Sequence, residues 1–220
     1  MVRYVQGELA KLANPAKAAP MAAYMKTDMP FYGVSKPDRV PIARVVKSRF
    51  PPADGDDYRD KVQALWDLPH REEKYLAIGY ASTFRQHVVF AQIDLFERMI
   101  TGGAWWDLVD ELASPVVGRI VLEDRPRMKP VLEGWIEAKD MWLRRSAILC
   151  QNRHKADTDR DMLFDFCLRR AHEKEFFIRK AIGWAMREYA RTRPDEVRAF
   201  LDEHGHKLAA LSRREAAKHL

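Results

Sequence analysis

The chain has 220 residues, enough for one domain or one short repeat array with a buried core. With 47% hydrophobic and 32% charged residues it reads as globular, and nothing in it matches the roughly 18 apolar residues of a membrane span or a secretory leader. The net charge of +6 is concentrated: Met141 to Arg193 holds 13 Lys and Arg against 7 Asp and Glu, and the remainder holds 25 of each. That is the electrostatic footprint of a nucleic-acid binder, although solvated helix faces give the same count.

Strand signals are nearly absent, and helical periodicity runs throughout. Breaks are expected at Asn14-Pro15, Pro30, Lys36-Pro37, the Pro51 to Asp57 loop, Leu68-Pro69, Gly102-Gly103, Asp124 to Pro126, Asp157 to Asp161, Arg193-Pro194 and Gly205. They leave helices of roughly 10 to 20 residues. A weak repeat joins them. Trp142 to Ala147 aligns with Phe177 to Ile182, 35 residues later, and Trp106 precedes Trp142 by 36. Two helices per period near 35 predict an all-α, HEAT- or armadillo-like solenoid over residues 1–220, read as a single domain. The repeated helix is the second of each pair, so its exposed residues would line a concave groove. Chance similarity in any helical bundle is the bland alternative.

Three segments carry candidate chemistry. In Gly102 to Asp110 the glycines end one helix and the aromatics open the next. Trp106 and Asp110 share a face, while Trp105 and Val109 face the core. Asp107 reads as a first-turn charge favoured by the helix dipole. Asp110 lies a turn deeper and is either functional or the partner of a neighbouring Arg. In Met141 to Arg145, Arg145 borders an apolar face. It either reaches a phosphate or snorkels. In the helix Glu175 to Arg191, Ile178, Ile182, Ala185 and Tyr189 form an apolar stripe. Lys180, Trp184, Arg187 and Arg191 form a second stripe about 200° away. A Trp among three cations suits a groove for phosphates and sugars, or else a Trp packed by cationic stems.

No phosphate loop, zinc spacing or nucleophile elbow occurs, so neither metal nor cofactor is expected. Cys150 and Cys167 read as reduced core thiols of a cytoplasmic protein, nucleoid-associated when on DNA.

At these residues the sequence resembles the AlkD-like alkylpurine DNA glycosylases. The matching segments are Met21 to Lys26, Phe31 to Val34, Leu65 to Pro69, Trp105 to Asp110, Trp142 to Leu149, Glu175 to Ala190 and Leu211 to His219. The resemblance implies a solenoid that holds duplex DNA containing alkylated purines, with no obligate protein partner. It implies Asp110 as the catalytic carboxylate, with Trp106 and Trp184 as walls around the lesion sugar. Arg145 and Arg187 would be cations near the DNA backbone, and Tyr24 an N-terminal groove residue. Lys180 and Arg191 join the DNA-binding set through their shared face. Two other uses stay open: a HEAT-like protein that binds nucleic acid without chemistry, and a protein-interaction scaffold.

Overall fold

A computed structural model describes residues 1–220. All regular structure is helical. No helix is long and apolar enough to cross a membrane. Contacts divide the chain into two compact units, Met1–Leu95 and Phe96–Leu220.

The first unit carries α1 (Val2–Lys11), α2 (Pro15–Met25), α3 (Lys36–Arg49), α4 (Gly55–Trp66), α5 (Arg71–Thr83) and the start of α6 (Ile93–Gly103). The predicted breaks fall where helices begin. Asn14 caps α2, and its side chain accepts from the Lys17 N–H ahead of Pro15. Asp54 caps α4 in the same way. That helix starts at Gly55, so it takes up the end of the expected loop. Buried Glu72 ties the α2–α3 connection down, its carboxylate accepting the N–H groups of Tyr32, Gly33 and Val34. Gly33 is required there. Its φ is +82°, and a Cβ would lie 2.1 Å from the Asn14 carbonyl oxygen.

The second unit carries α7 (Trp106–Leu112), α8 (Gly118–Glu123), α9 (Arg125–Ile136), α10 (Met141–Leu149), α11 (Arg160–Arg169), α12 (Phe176–Ala190), α13 (Pro194–His204) and α14 (Ala210–Ala216). Asp124, Asp140 and Asp159 cap α9, α10 and α11 through their side chains. Between α7 and α8 the chain widens into a π-helix over Ala113–Val117. Pro115 lies inside it and has no N–H to give, so one rung of the α ladder is missing there. Helices α7, α10, α12 and α14 pack in succession, each on the next. Helix α9 packs on α8 and α10, and α13 on α12. Ile178, Ile182, Ala185 and Tyr189 face the core as their spacing predicts. Cys150 and Cys167 are buried free thiols, and burial pushes the Cys150 thiol up to about 12.

Gly102 and Gly103 end α6, as expected. Both glycines are helical, and Ala104 takes φ +38°. The opposite stripe of α12 is only partly open. Helix α14 lies against it, and Gly183 allows the approach, because a Cβ there would meet the Glu215 Cβ at 2.5 Å and the Ser212 carbonyl at 2.9 Å.

Candidate active site

The second unit brings together Asp110, Arg145, Lys180, Trp184 and Arg187. Asp110 lies one turn into α7, on the face of Trp106, which opens that helix and is half-buried. Asp107 is in the first turn, as expected. The Asp110 carboxylate accepts two hydrogen bonds from Arg145 on α10. Nε reaches Oδ1 at 2.7 Å and Nη2 reaches Oδ2 at 2.8 Å. This is a bidentate pair between helices, not the local pairing an isolated helix would suggest. Asp110 keeps 21% of its side-chain surface open, whereas Arg145 keeps 1%. Burial pushes the Asp110 carboxyl above the usual carboxylate range, and Arg145 only partly offsets that rise.

Arg145 is therefore not a snorkelling surface residue, since only 1% of its side chain is exposed. The third direction of its guanidinium, Nη1, donates to the Phe177 carbonyl. Its faces meet aromatic rings, with Cζ 5.7 Å from the Phe177 centroid and 5.5 Å from the Trp184 centroid. A cation this enclosed survives burial because every side of it is satisfied. Beneath it, Trp105, Trp142 and Phe177 form an aromatic cluster with centroids 5.0 to 6.0 Å apart. Trp105 thus faces the core, as expected.

Trp184, half-buried on α12, has three cations within 6 Å of its ring. Arg145 is joined by Lys180 and Arg187, each 5.6 Å from the centroid. Lys180 donates to Glu215 of α14 at 2.8 Å, and Arg187 reaches the same carboxylate at 3.2 Å. Lys218 donates to both of its oxygens, at 3.0 and 2.9 Å. Lys180 and Lys218 hold the Glu215 carboxyl down to about 2. Arg191 stands apart from this cluster. It is exposed and pairs with Glu188 at 3.0 Å. Tyr24 belongs to the first unit, where it is 74% exposed beside Met21, Met25 and Phe31.

Phe177 and Glu215 were not singled out from sequence. A signal for Glu215 existed. Asp110, Arg145, Lys180 and Glu215 follow one another at intervals of 35 residues, on α7, α10, α12 and α14. The same register extends back to Tyr75 on α5, whose ring carries Arg39 at 4.5 Å, 36 residues earlier. Equivalent positions of successive helices thus meet as Asp–Arg and Lys–Glu pairs.

An all-helical chain with a bidentate Asp–Arg pair beside a Trp ringed by cations has both a carboxylate for chemistry and positive charge for a polyanion. The chain belongs to the DNA alkylation repair enzyme family, whose model matches residues 5–220 and so runs through both units. It is similar to a predicted DNA alkylation repair enzyme from Enterococcus faecalis at 30% identity, covering 94% of this chain and 96% of that one with a TM-score of 0.84. It is also similar in fold to smu.31 from Streptococcus mutans UA159, at 14% identity over 80% of this chain and 90% of that one, TM-score 0.61. No curated protein matches the chain.

Proposed function

We propose that the protein is a DNA glycosylase that hydrolyses the N-glycosidic bond of cationic alkylpurines, 3-methyladenine and 7-methylguanine, in duplex DNA. The single observation that carries this reading is the Asp110 carboxylate. It is fixed by two hydrogen bonds to a buried guanidinium, yet one fifth of its side-chain surface stays open. A carboxylate held so firmly pays little reorganisation when positive charge develops beside it. Family membership and the net charge between Met141 and Arg193 add support. The 35-residue ladder supports a HEAT-like repeat, with the whole of 1–220 acting as one domain and the ladder helices lining the groove.

In the proposed reaction the lesion base already carries a positive charge. The electron pair of the C1′–N bond moves to the base, which departs neutral, and no acid need protonate it. Asp110 stabilises the oxocarbenium-like sugar and orients water to C1′. The water oxygen bonds to C1′ and its proton passes to solvent, leaving an abasic site. Trp106 forms an aromatic wall on the Asp110 face, and Trp184 the other. Arg187 and Lys180 hold the DNA backbone, with Arg191 and Tyr24 as outer contacts. Arg145 acts in this scheme through Asp110, as its positioning residue.

The test is release of free base from methylated duplex DNA by the purified protein with no added metal or nucleotide. Release with an intact abasic strand is expected. Strand cleavage through a Schiff base, or activity abolished by a chelator, overturns the reading. One observation favours a second reading. The same Asp110–Arg145 pair is a sound structural bridge between α7 and α10, as a non-catalytic DNA-binding protein would also need. Duplex binding with no base release would select it.

A further inference from the structure

Two of the ladder's four charges are like charges on neighbouring helices. Arg145 and Lys180 occupy equivalent positions of α10 and α12, and both lie over Trp184. Adjacent cations repel, and each leans on a carboxylate at the far side, Arg145 on Asp110 and Lys180 on Glu215. The two ends are not equivalent. Asp110 answers one cation, so that pair is neutral. Glu215 answers Lys180, Arg187 and Lys218 together, and with Glu188 at 3.6 Å from Arg187 the three cations still outnumber their two carboxylates. Glu215 has 6% of its side-chain surface open, while its three partners keep 24%, 22% and 47%. The anion is thus the buried pier, and the cations stand between it and solvent. The close approach of α14 at Gly183 and the Ser212 hydroxyl donated to the Arg179 carbonyl fix that pier.

Resting on the DNA reading above, we infer that Lys180, Arg187 and Lys218 form a seat for one or two phosphodiesters of the DNA backbone beside Trp184. Glu215 is the positioning residue that holds these cations in place. The cations are pre-ordered, so a phosphate gains their charge without paying the full cost of fixing three long side chains. Phosphate has the matching chemistry, because the seat carries excess positive charge, is partly open, and is walled by an indole face that a deoxyribose can meet. The pier works over a wide pH range, since its cations keep Glu215 ionised down to about 2. Helix α14 is thereby part of the binding machinery and more than a cap on the last helix pair.

The test is a salt titration of binding to an unmodified duplex by the full chain and by Glu215→Gln. A bystander carboxylate near DNA is repulsive, and its neutralisation must tighten binding. A positioning carboxylate gives the opposite sign. Despite one more unit of positive charge, Glu215→Gln is expected to bind roughly tenfold more weakly at low salt. Its log–log slope should fall by about 0.9 to 1.8, the loss of one or two phosphate contacts. Tighter binding at an unchanged slope overturns the inference. Should Glu215→Gln fail to fold, the exposed Lys218→Met is decisive. Its slope must fall by about 0.9, and an unchanged slope overturns the inference. Base release by the unaltered protein is a separate readout. A protein that releases base but keeps its slope in both variants retains the proposed activity without this seat. One that binds DNA through the seat but releases no base loses the glycosylase reading alone.

Discussion

Replacing Asp110 with Asn tests chemistry and architecture together, because the structure attaches a cost to each. The substitution keeps the size and one acceptor oxygen but removes the charge facing Arg145, a guanidinium only 1% exposed. At an effective dielectric of about 20, unit charges roughly 4 Å apart attract by about 4 kcal/mol. Breaking a buried pair from one side costs about 3–5 kcal/mol, and the retained oxygen puts Asn toward the lower end. For a chain of this size 1 kcal/mol moves Tm by about 2–4 °C, so Asp110→Asn is expected to melt roughly 6–12 °C lower. Excision in a single turnover, measured well below that temperature, is expected to fall about 100-fold or more if the carboxylate stabilises the sugar. The two losses are separated by a paired replacement, Asp110→Leu with Arg145→Met. Removing both charges with side chains of similar size is near neutral for stability. The paired variant should regain the Tm and remain inactive. Near-normal excision by a well-folded paired variant would refute catalysis by Asp110. An Asp110→Asn protein that melts like the parent would refute the energetics assigned to the pair.

Gly183→Ala should push α14 off α12, lowering stability by about 1–3 kcal/mol and weakening duplex binding, as melting and a salt titration together would reveal. Arg187→Ala is expected to flatten the salt slope by about 0.9. Arg145→Ala should instead lower Tm, because its cation is spent on Asp110 and the Phe177 carbonyl. Ala104→Gly removes a left-handed alanine and should raise Tm by a few degrees, equivalent to about 0.5–1 kcal/mol. In the proposed reaction excision requires ionised Asp110, whose carboxyl lies above the usual range. A pH–rate profile should therefore place the acid limb above ordinary carboxylate values, and a limb at or below them counts against that burial. Stability has the opposite sign at Glu215. Its folded value is lowered to about 2, so its contribution is complete above the ordinary 4.5 and is lost as pH falls through 2. Acid melting of Glu215→Gln should lack that loss.

Helix positions, caps and the apolar stripe of α12 were legible in the sequence because each depends on neighbours within a few residues. Asn14, Asp54, Asp124 and Asp159 stand before helices, and Ile178 to Tyr189 repeat at helical spacing. The residue types of the site were legible too. Their environments were not. An arginine on a helix is ordinarily exposed, and Arg145 is buried only because Asp110, 35 residues away, and the aromatic rings around it satisfy it. Glu215 sits among Arg213, Arg214 and Lys218 and reads as one charge of a solvated tail. Its burial follows from Gly183, whose missing Cβ no local pattern explains. The same holds for the π-helix. Pro115 marks a fault in the ladder, but whether a proline ends a helix or widens it is decided by packing. Pro20, Pro41 and Pro130 lie inside α2, α3 and α9, which run on through them.

The 35-residue ladder also resolves an apparent conflict in the proposed chemistry. A site lined by cations is a poor place to develop positive charge on a sugar. The ladder keeps the two demands apart. Arg145 and the Trp184 ring stand between Asp110 on α7 and Lys180 on α12, with the ring centroid 5.5 Å from the Arg145 Cζ and 5.6 Å from the Lys180 Nζ. The Debye length at physiological salt is about 8 Å, so solvent ions screen the outer cations of the α12–α14 end only in part at the α7 end. Between them Arg145 contributes little net charge, because Asp110 cancels it at hydrogen-bond distance. The carboxylate end is left to act on the sugar, and the cationic end on the backbone. In the proposed scheme the Trp184 wall is the one that Arg145, Lys180 and Arg187 crowd. Trp106, on the Asp110 face, is the ring better placed to meet the developing charge.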